Sequence, residues 1–466
     1  MPKPINPVIF REYDVRGVYN QTLFPDDAVR IGVAYAQLLK QKTPKNSYTI
    51  NVGFDGRLST PVLLDPLIAG LKSEGINVRL IGLGPTPMLY FSVFDGNEDG
   101  GIMITGSHNP KDHNGFKMMI GKTSLFGSEI QQLGKIAAGI NLPVNSGSGK
   151  AETTDVLNGY VTRLAANYPA SEKQLRIAWD AGNGAAGRVL PQLVKLLPGK
   201  HIVLNEIVDG NFPNHHPDPS VEENLKQLID VVTREKLDAG FAFDGDADRI
   251  GVVDNMGRVF WGDQILLFLA ENIIARNPGQ PVIGDVKCSQ ILFDAVAKLG
   301  GKPVMWKTGH SLIKSKMAEL SAPLAGEMSG HIFIKDQYYG YDDGIYAAIR
   351  FMQHLQNLPQ DLAEWRDGLP EIYNTPEMRI ECAEERKFKV IDEVRQRLQL
   401  AGSRFSDVDG VRVMTEEGWW ILRASNTQPA LALRAESNSP QGLEKLKSQI
   451  EQQLKQSGVP LKFASH

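Results

Sequence analysis

At 466 residues, 42% hydrophobic and 22% charged, the chain is too long for one core, and a typical domain of roughly 150 residues implies three or four globular units. A formal net charge of -4 with both signs well mixed excludes the basic footprint of a nucleic-acid or anionic-membrane binder, but leaves room for a few cations facing an anionic small molecule. Cys288 and Cys382 stand outside any metal-ligand or redox spacing and read as buried packing residues, while the absence of a leader pattern or a long apolar run reads as a cytoplasmic protein with no membrane partner.

Residues 1–150 alternate helix-like and strand-like segments. A helix is predicted over 29–40, a strand over 49–54, a helix over 60–74 with Pro61 in its first turn, and strands over 77–83 and 101–105. This rhythm predicts a mainly parallel sheet. Residues 145–149, Asn-Ser-Gly-Ser-Gly, read as a flexible boundary. The rhythm recurs over 151–256, with a strand and Gly-rich turn at 176–184, a helix near 187–197 and a strand at 238–243. It recurs again over 257–370, with a helix at 262–276 and a strand from Pro281. Each unit has a small-residue strand running into a polar loop, at 99–110, 238–249 and 323–331, which suggests three related α/β units with their loops turned toward one cleft. Residues 371–466 read instead as a smaller α+β unit.

The polar loops carry the chemistry. Residues 105–110, Thr-Gly-Ser-His-Asn-Pro, present the hydroxyl of Ser107 at the end of a buried strand. A free hydroxyl is a poor nucleophile, and a Ser-His pair with His108 is disfavoured because sequence neighbours usually point apart. A serine that carries phosphate accounts better for its company. Asp244, Asp246 and Asp248 alternate with small residues in one tight loop, where three carboxylates repel one another unless a cation neutralises them. All-oxygen ligands favour Mg²⁺, and a calcium loop fails because its Gly and Glu positions hold Arg249 and Asn255. Glu327 and Ser329, flanking Met328 in a Gly-bounded loop, can read adjacent sugar hydroxyls, for which a plain surface turn is an equal alternative. Arg423, Ser425, Asn426 and Thr427, closed by Pro429, make a phosphate cradle, for which an ordinary turn is the plain alternative. Lys117, Arg16, His310 and His331 are charged or acid/base candidates around the serine.

Together these motifs resemble the α-D-phosphohexomutase superfamily, in its bacterial phosphomannomutase/phosphoglucomutase branch, over essentially the whole chain. The resemblance implies three α/β units with mixed sheets and a smaller α+β lid around a central cleft. It implies that Ser107 is the phosphoserine, and that Ser107, Asp244, Asp246 and Asp248 hold one Mg²⁺. Arg16, Lys117, Arg249, His310 and His331 then surround the reacting group, with Tyr13, Glu327, Ser329, Arg423, Ser425, Asn426 and Thr427 on the substrate. The implied reaction moves a phosphoryl group between C1 and C6 of mannose and glucose phosphates through a hexose 1,6-bisphosphate, which also serves as activator. Ala247 stands where many members have Gly, and Met328 where glucosamine-phosphate mutases usually have Gln. The competing expectations are a Mg²⁺-dependent sugar phosphatase with Asp244 as nucleophile, a phosphoglucosamine mutase, and a non-catalytic sugar-phosphate binder. A monomer is expected, acting on hexose 1- and 6-phosphates.

Overall fold

Small and β-branched residues in short buried runs dictate where the sheets form, and the computed structural model, which describes residues 3–169, 171–425, 429–461 and 463, contains four of them in chain order. The first sheet runs Val15–Val18, His113–Ile120, Gly100–Ile104, Thr49–Phe54, Asn77–Leu83, Ala151–Thr153, with Thr123–Ser124 added beside His113–Ile120. Its middle is parallel, but His113–Ile120 returns antiparallel beside Gly100–Ile104 and places Lys117 opposite Met103. The loop between these two strands contains Ser107.

The same device appears twice more. In the second sheet Ala239–Phe243 lies parallel to Arg176–Asp180 and antiparallel to Ile250–Asp254, and the connecting loop contains the three aspartates. In the third, Leu324–Gly326 lies parallel to Pro281–Asp285 and antiparallel to Ile332–Ile334, and the connecting loop contains Glu327 and Ser329. The weak sequence repeat is thus a repeated strand, functional loop and antiparallel return. It puts each loop at the carboxyl end of a parallel strand, where α/β sheets bind ligands. The fourth sheet is antiparallel, in the order Tyr373–Asn374, Ala430–Ser437, Gly418–Ala424, Val411–Thr415, Phe405–Ser406, with Met378–Glu381 also pairing on Ala430–Ser437. The helices Glu384–Leu400 and Pro440–Gln456 accompany it.

The cores are distributed unevenly. One continuous core joins the second and third sheets with the helix Thr86–Asp95 of the first unit, through residues such as Leu89, Trp179, Phe241, Phe268 and Phe351. The first sheet has a core of its own around Ile50, Val52 and Leu67, and the fourth has another around Val394, Trp420 and Leu433. Two sequence expectations change. The strand Ala151–Thr153 pairs with Asn77–Leu83, so the first sheet extends past 150, and the expected linker is anchored by Gly149 N donating to Lys72 O. The helix expected over 187–197 reduces to a 3₁₀ turn, Ala185–Arg188, and one α turn, Leu190–Leu193. Pro191 removes an interior donor, and a side chain at Gly187 would strike Glu206 O, so the segment follows its neighbour instead of coiling regularly. Among the described residues no helix is long and apolar enough to cross a membrane.

Candidate active site

The loops at the ends of the first two sheets meet head-on. Ser107 has a left-handed backbone, φ 49°, and its Oγ donates to Asp244 Oδ2 at 2.7 Å. Gly245 makes this approach possible, since a Cβ there would collide with Ser107 O. The turned backbone also brings His108 Nδ1 to 3.2 Å from Ser107 Oγ, so these sequence neighbours do meet, contrary to expectation. Burial, reinforced by Arg249 and Arg16, pushes the His108 imidazole well below its ordinary range and keeps it neutral.

Asp244, Asp246 and Asp248 are fully buried, with one oxygen of each within 4.8 Å of the others. Burial first, then Asp246 and Asp248, drive Asp244 well above the usual carboxylate range. Burial also opposes ionisation of Asp246, but Lys117 outweighs it and holds Asp246 low. Lys117 Nζ donates to Asp246 Oδ2 at 2.7 Å and to Asp248 Oδ2, and these carboxylates keep its ammonium charged despite burial. Thr86, which sequence reasoning missed, fixes the same loop: its Oγ1 donates to Asp246 Oδ2 at 2.5 Å and its N–H to Asp246 O. The second oxygens of Asp246 and Asp248 are buried without a hydrogen-bond partner, as befits a site prepared for a hard cation.

Arg249 lies between the second and third loops. Its N–H donates to Asp244 Oδ1 at 3.1 Å and its Nε to His331 Nε2 at 3.0 Å. His331 Nε2 accepts this bond, and its Nδ1 faces Asp342 Oδ2 at 3.2 Å. His310 stacks on His331, ring centroids 5.5 Å apart, with Nδ1 3.6 Å from the same Asp342 oxygen. Burial and Lys314 push His310 well below its ordinary range. Asp342 was also missed: its sequence context, a pair of aspartates before a helix, signals only a cap.

Arg16 reaches the serine loop, donating to Asn109 Oδ1 at 2.9 Å while pairing with Asp14 at 2.5 Å. Tyr13 Oη donates to Thr308 O at 2.9 Å, across the cleft from its own unit. Glu327 is buried and accepts from Gly309 N at 2.5 Å; Ser329, two residues on, is partly exposed. Arg423 and Ser425 lie at the end of the strand Gly418–Ala424, both buried, and Lys387 Nζ donates to Ser425 O at 2.6 Å. Asn426 and Thr427 lie outside the described residues. The structure thus gathers Ser107, Lys117, Asp244, Asp246, Asp248, Arg249, His331, His310 and Arg16 at one focus. Tyr13, Glu327 and Arg423 join it through the turn at Thr308 and Gly309.

Lys287, also missed, is buried at the junction of the third and fourth units, with Nζ 2.8 Å from Glu377 Oε2. Lys287 pulls the Glu377 carboxyl down to about 2 from its ordinary 4.5. The unfolded chain therefore binds more protons than the folded one between those values, and the pair's contribution is complete above pH 4.5 and lost as pH falls toward 2. Glu377→Gln is expected to cost about 1–3 kcal/mol at neutral pH and to flatten the acid limb of stability, read by urea unfolding across pH.

The comparisons agree along the whole chain. Models of the phosphoglucomutase/phosphomannomutase family match in order: alpha/beta/alpha domain I over 7–141, domain II over 158–257, domain III over 261–373, and the C-terminal domain over 377–453. The chain belongs to the phosphoglucomutase/phosphomannomutase family. Within it, this member is 43% identical to the phosphomannomutase/phosphoglucomutase of Pseudomonas aeruginosa PAO1, covering 98% of this chain and 97% of that protein. It is 40% identical to the phosphoglucomutase of Neisseria gonorrhoeae over 95% of each chain. The crystal structure of a family protein from Burkholderia thailandensis superposes with a TM-score of 0.91 at 39% identity, covering 98% of this chain and 99% of that one. The mixed α/β architecture and the α-D-phosphohexomutase resemblance are thereby shown.

Proposed function

We propose that this enzyme interconverts the 1- and 6-phosphates of mannose and glucose by way of a phosphoserine at Ser107. The observation that carries this reading is the meeting of loops: a strand-end hydroxyl 2.7 Å from one buried carboxylate, with a lysine ammonium held on the other two. The family is metal-dependent, and the donor set fits Mg²⁺, being all oxygen, buried and partly unsatisfied. Asp244, Asp246, Asp248 and the oxygen on Ser107 would hold it. Bound there, Mg²⁺ offsets the triad's charge and draws electron density from phosphoryl oxygens.

In the reaction a sugar hydroxyl attacks phosphoserine 107. The bond from phosphorus to Oγ breaks and its electron pair stays on Oγ, a bond from phosphorus to the sugar oxygen forms, and the hydroxyl proton passes to His310, whose ring lies beside Asp342 and stacks on His331. Lys117, Arg249 and Arg16 offset the charge on the moving group. The resulting hexose 1,6-bisphosphate turns over, and its other phosphate returns to Ser107. Arg423 with Ser425, Asn426 and Thr427 holds the phosphate that is not reacting. Glu327 and Ser329 read hydroxyls shared by glucose and mannose, which leaves the C2 epimers poorly discriminated. The fourth unit, with its separate core, is suited to close over the cleft and keep water from phosphoserine.

Incubation with glucose 1,6-bisphosphate, followed by peptide mass spectrometry, tests the phosphoserine directly. The peptide bearing Ser107 should gain the mass of one phosphoryl group and lose it to excess glucose 1-phosphate. A phosphoryl group trapped on Asp244 would overturn the reading.

A further inference from the structure

Asp409 occupies a place that the proposed mechanism does not use. It sits in the loop between the strands Phe405–Ser406 and Val411–Thr415 of the fourth unit, outside every motif. One of its oxygens, Oδ2, accepts from Arg423 Nε and lies equally near Arg423 Nη2, both at 3.0 Å. This grips one edge of the guanidinium and leaves Nη1 on the opposite edge outside its grasp. The same oxygen accepts from Thr308 N at 3.1 Å, across the boundary to the third unit. The loop is shaped for this contact. Gly410 is left-handed, φ 78°, and a Cβ there would lie 2.7 Å from Arg423 Cα.

Thr308 is itself a junction. Its carbonyl accepts from Tyr13 Oη of the first unit at 2.9 Å, and its Oγ1 donates to the buried Asp285 Oδ2 at 3.1 Å. The next residue, Gly309, donates its N–H to Glu327, and His310 follows at the head of a helix. One carboxylate therefore connects the arginine assigned to phosphate with the turn that positions the residue assigned to the sugar. Hydrogen bonds to a fixed acceptor orient a guanidinium better than solvent does, because its fork is planar.

We propose that Asp409 is a positioning residue, which aims Arg423 at the non-reacting phosphate and sets that seat in register with the Thr308–Gly309 turn. The inference rests on reading Arg423 as a phosphate-binding residue. A seat that holds phosphate equally in ground and transition states appears in KM, with kcat largely kept.

The test is steady-state kinetics with glucose 1-phosphate for Asp409→Ala, Asp409→Asn and Arg423→Ala, with melting temperatures alongside. Asp409→Ala should raise KM by about tenfold to a hundredfold with kcat within about threefold of the parent, and Asp409→Asn, which keeps an oxygen acceptor, should recover part of that loss. A KM within twofold for both Asp409 variants, while Arg423→Ala raises it, would overturn the proposal and leave the phosphate assignment standing. An unchanged KM in Arg423→Ala as well would overturn the assignment itself. A lowered melting temperature with KM unaltered would reduce Asp409 to a structural role and likewise overturn the proposal. If Asp409→Ala does not fold, the KM of Asp409→Asn decides: raised supports the proposal, unchanged overturns it.

Discussion

Ser107→Ala is expected to abolish mutase turnover, by roughly four orders of magnitude or more, because the variant has no oxygen to carry the phosphoryl group. Stability should change little. The hydroxyl donates a buried hydrogen bond to Asp244 and lies within 3.2 Å of His108 Nδ1, contacts worth about 1–2 kcal/mol together, and Asp244 retains the N–H of Arg249 as a partner. Loss of rate with a preserved melting temperature therefore separates a chemical role from a folding role. The same variant discriminates against an aspartyl phosphatase. That reading makes Asp244 the nucleophile and Ser107 incidental, so the variant would keep hydrolysing sugar phosphates. Asp244 is fully buried, with one oxygen accepting from Ser107 Oγ and the other from Arg249 N, an arrangement that leaves neither oxygen free to attack.

Arg57→Met is expected to lower kcat by about a hundredfold and to destabilise the fold, although Arg57 carries none of the proposed chemistry. Its guanidinium is almost wholly buried beneath the serine loop. Nη2 donates to the carbonyls of Ser107 and Asn109 at 2.6 and 2.7 Å, and Nη1 to those of Pro110 and His113 at 2.6 and 2.8 Å. Asp55, 3.3 Å from Arg57 Nε, accepts from Thr105 Oγ1 and Gly106 N on the other flank of the loop. The two side chains clamp a segment whose serine sits in the left-handed region, a conformation that costs about 1–2 kcal/mol outside glycine. Removing the cation strands Asp55 as a buried, unpaired carboxylate, at a cost of about 3–5 kcal/mol. The loop relaxes, and displacement of a reacting atom by about 1 Å lowers kcat by about a hundredfold. Arg57→Lys separates these effects. It keeps the charge beside Asp55 but lacks the planar fork, so stability should largely return while kcat stays low. A lysine variant with parental kcat would contradict the clamp.

Arg57 also shows where sequence reasoning stopped. The three functional loops were legible because each follows a short buried strand and concentrates its chemistry within a few residues. Ser107, the aspartates at 244, 246 and 248, and Glu327 each lie in such a loop, and Arg423 lies at the end of a buried strand of the fourth sheet. Arg57 follows a strand too, but a lone arginine beside an aspartate looks like any surface pair until four carbonyls from a loop 50 or more residues away surround it. Asp409 and Thr308 were hidden for the same reason, since each has partners in other units, while Asp342 meets His310, Lys314 and His331 of its own unit only once the chain folds. Local pattern also overreached in two places. The glycines and serines of 145–149 suggested freedom, yet backbone contacts with the helix Thr60–Ser73 and its exit hold that segment against the first unit. The apolar spacing of 187–197 suggested a helix, which Pro191 and close packing at Gly187 cut short. The cysteines conformed to expectation, both buried and unpaired with each other.

The most direct test of the central claim is to supply the purified enzyme with glucose 1-phosphate or mannose 1-phosphate, Mg²⁺ and a trace of glucose 1,6-bisphosphate, and to measure 6-phosphates and free phosphate in the same samples. Both sugars should yield their 6-phosphates with no matching release of phosphate. Free phosphate as the main product would contradict that claim, and would move the nucleophile from Ser107 to Asp244.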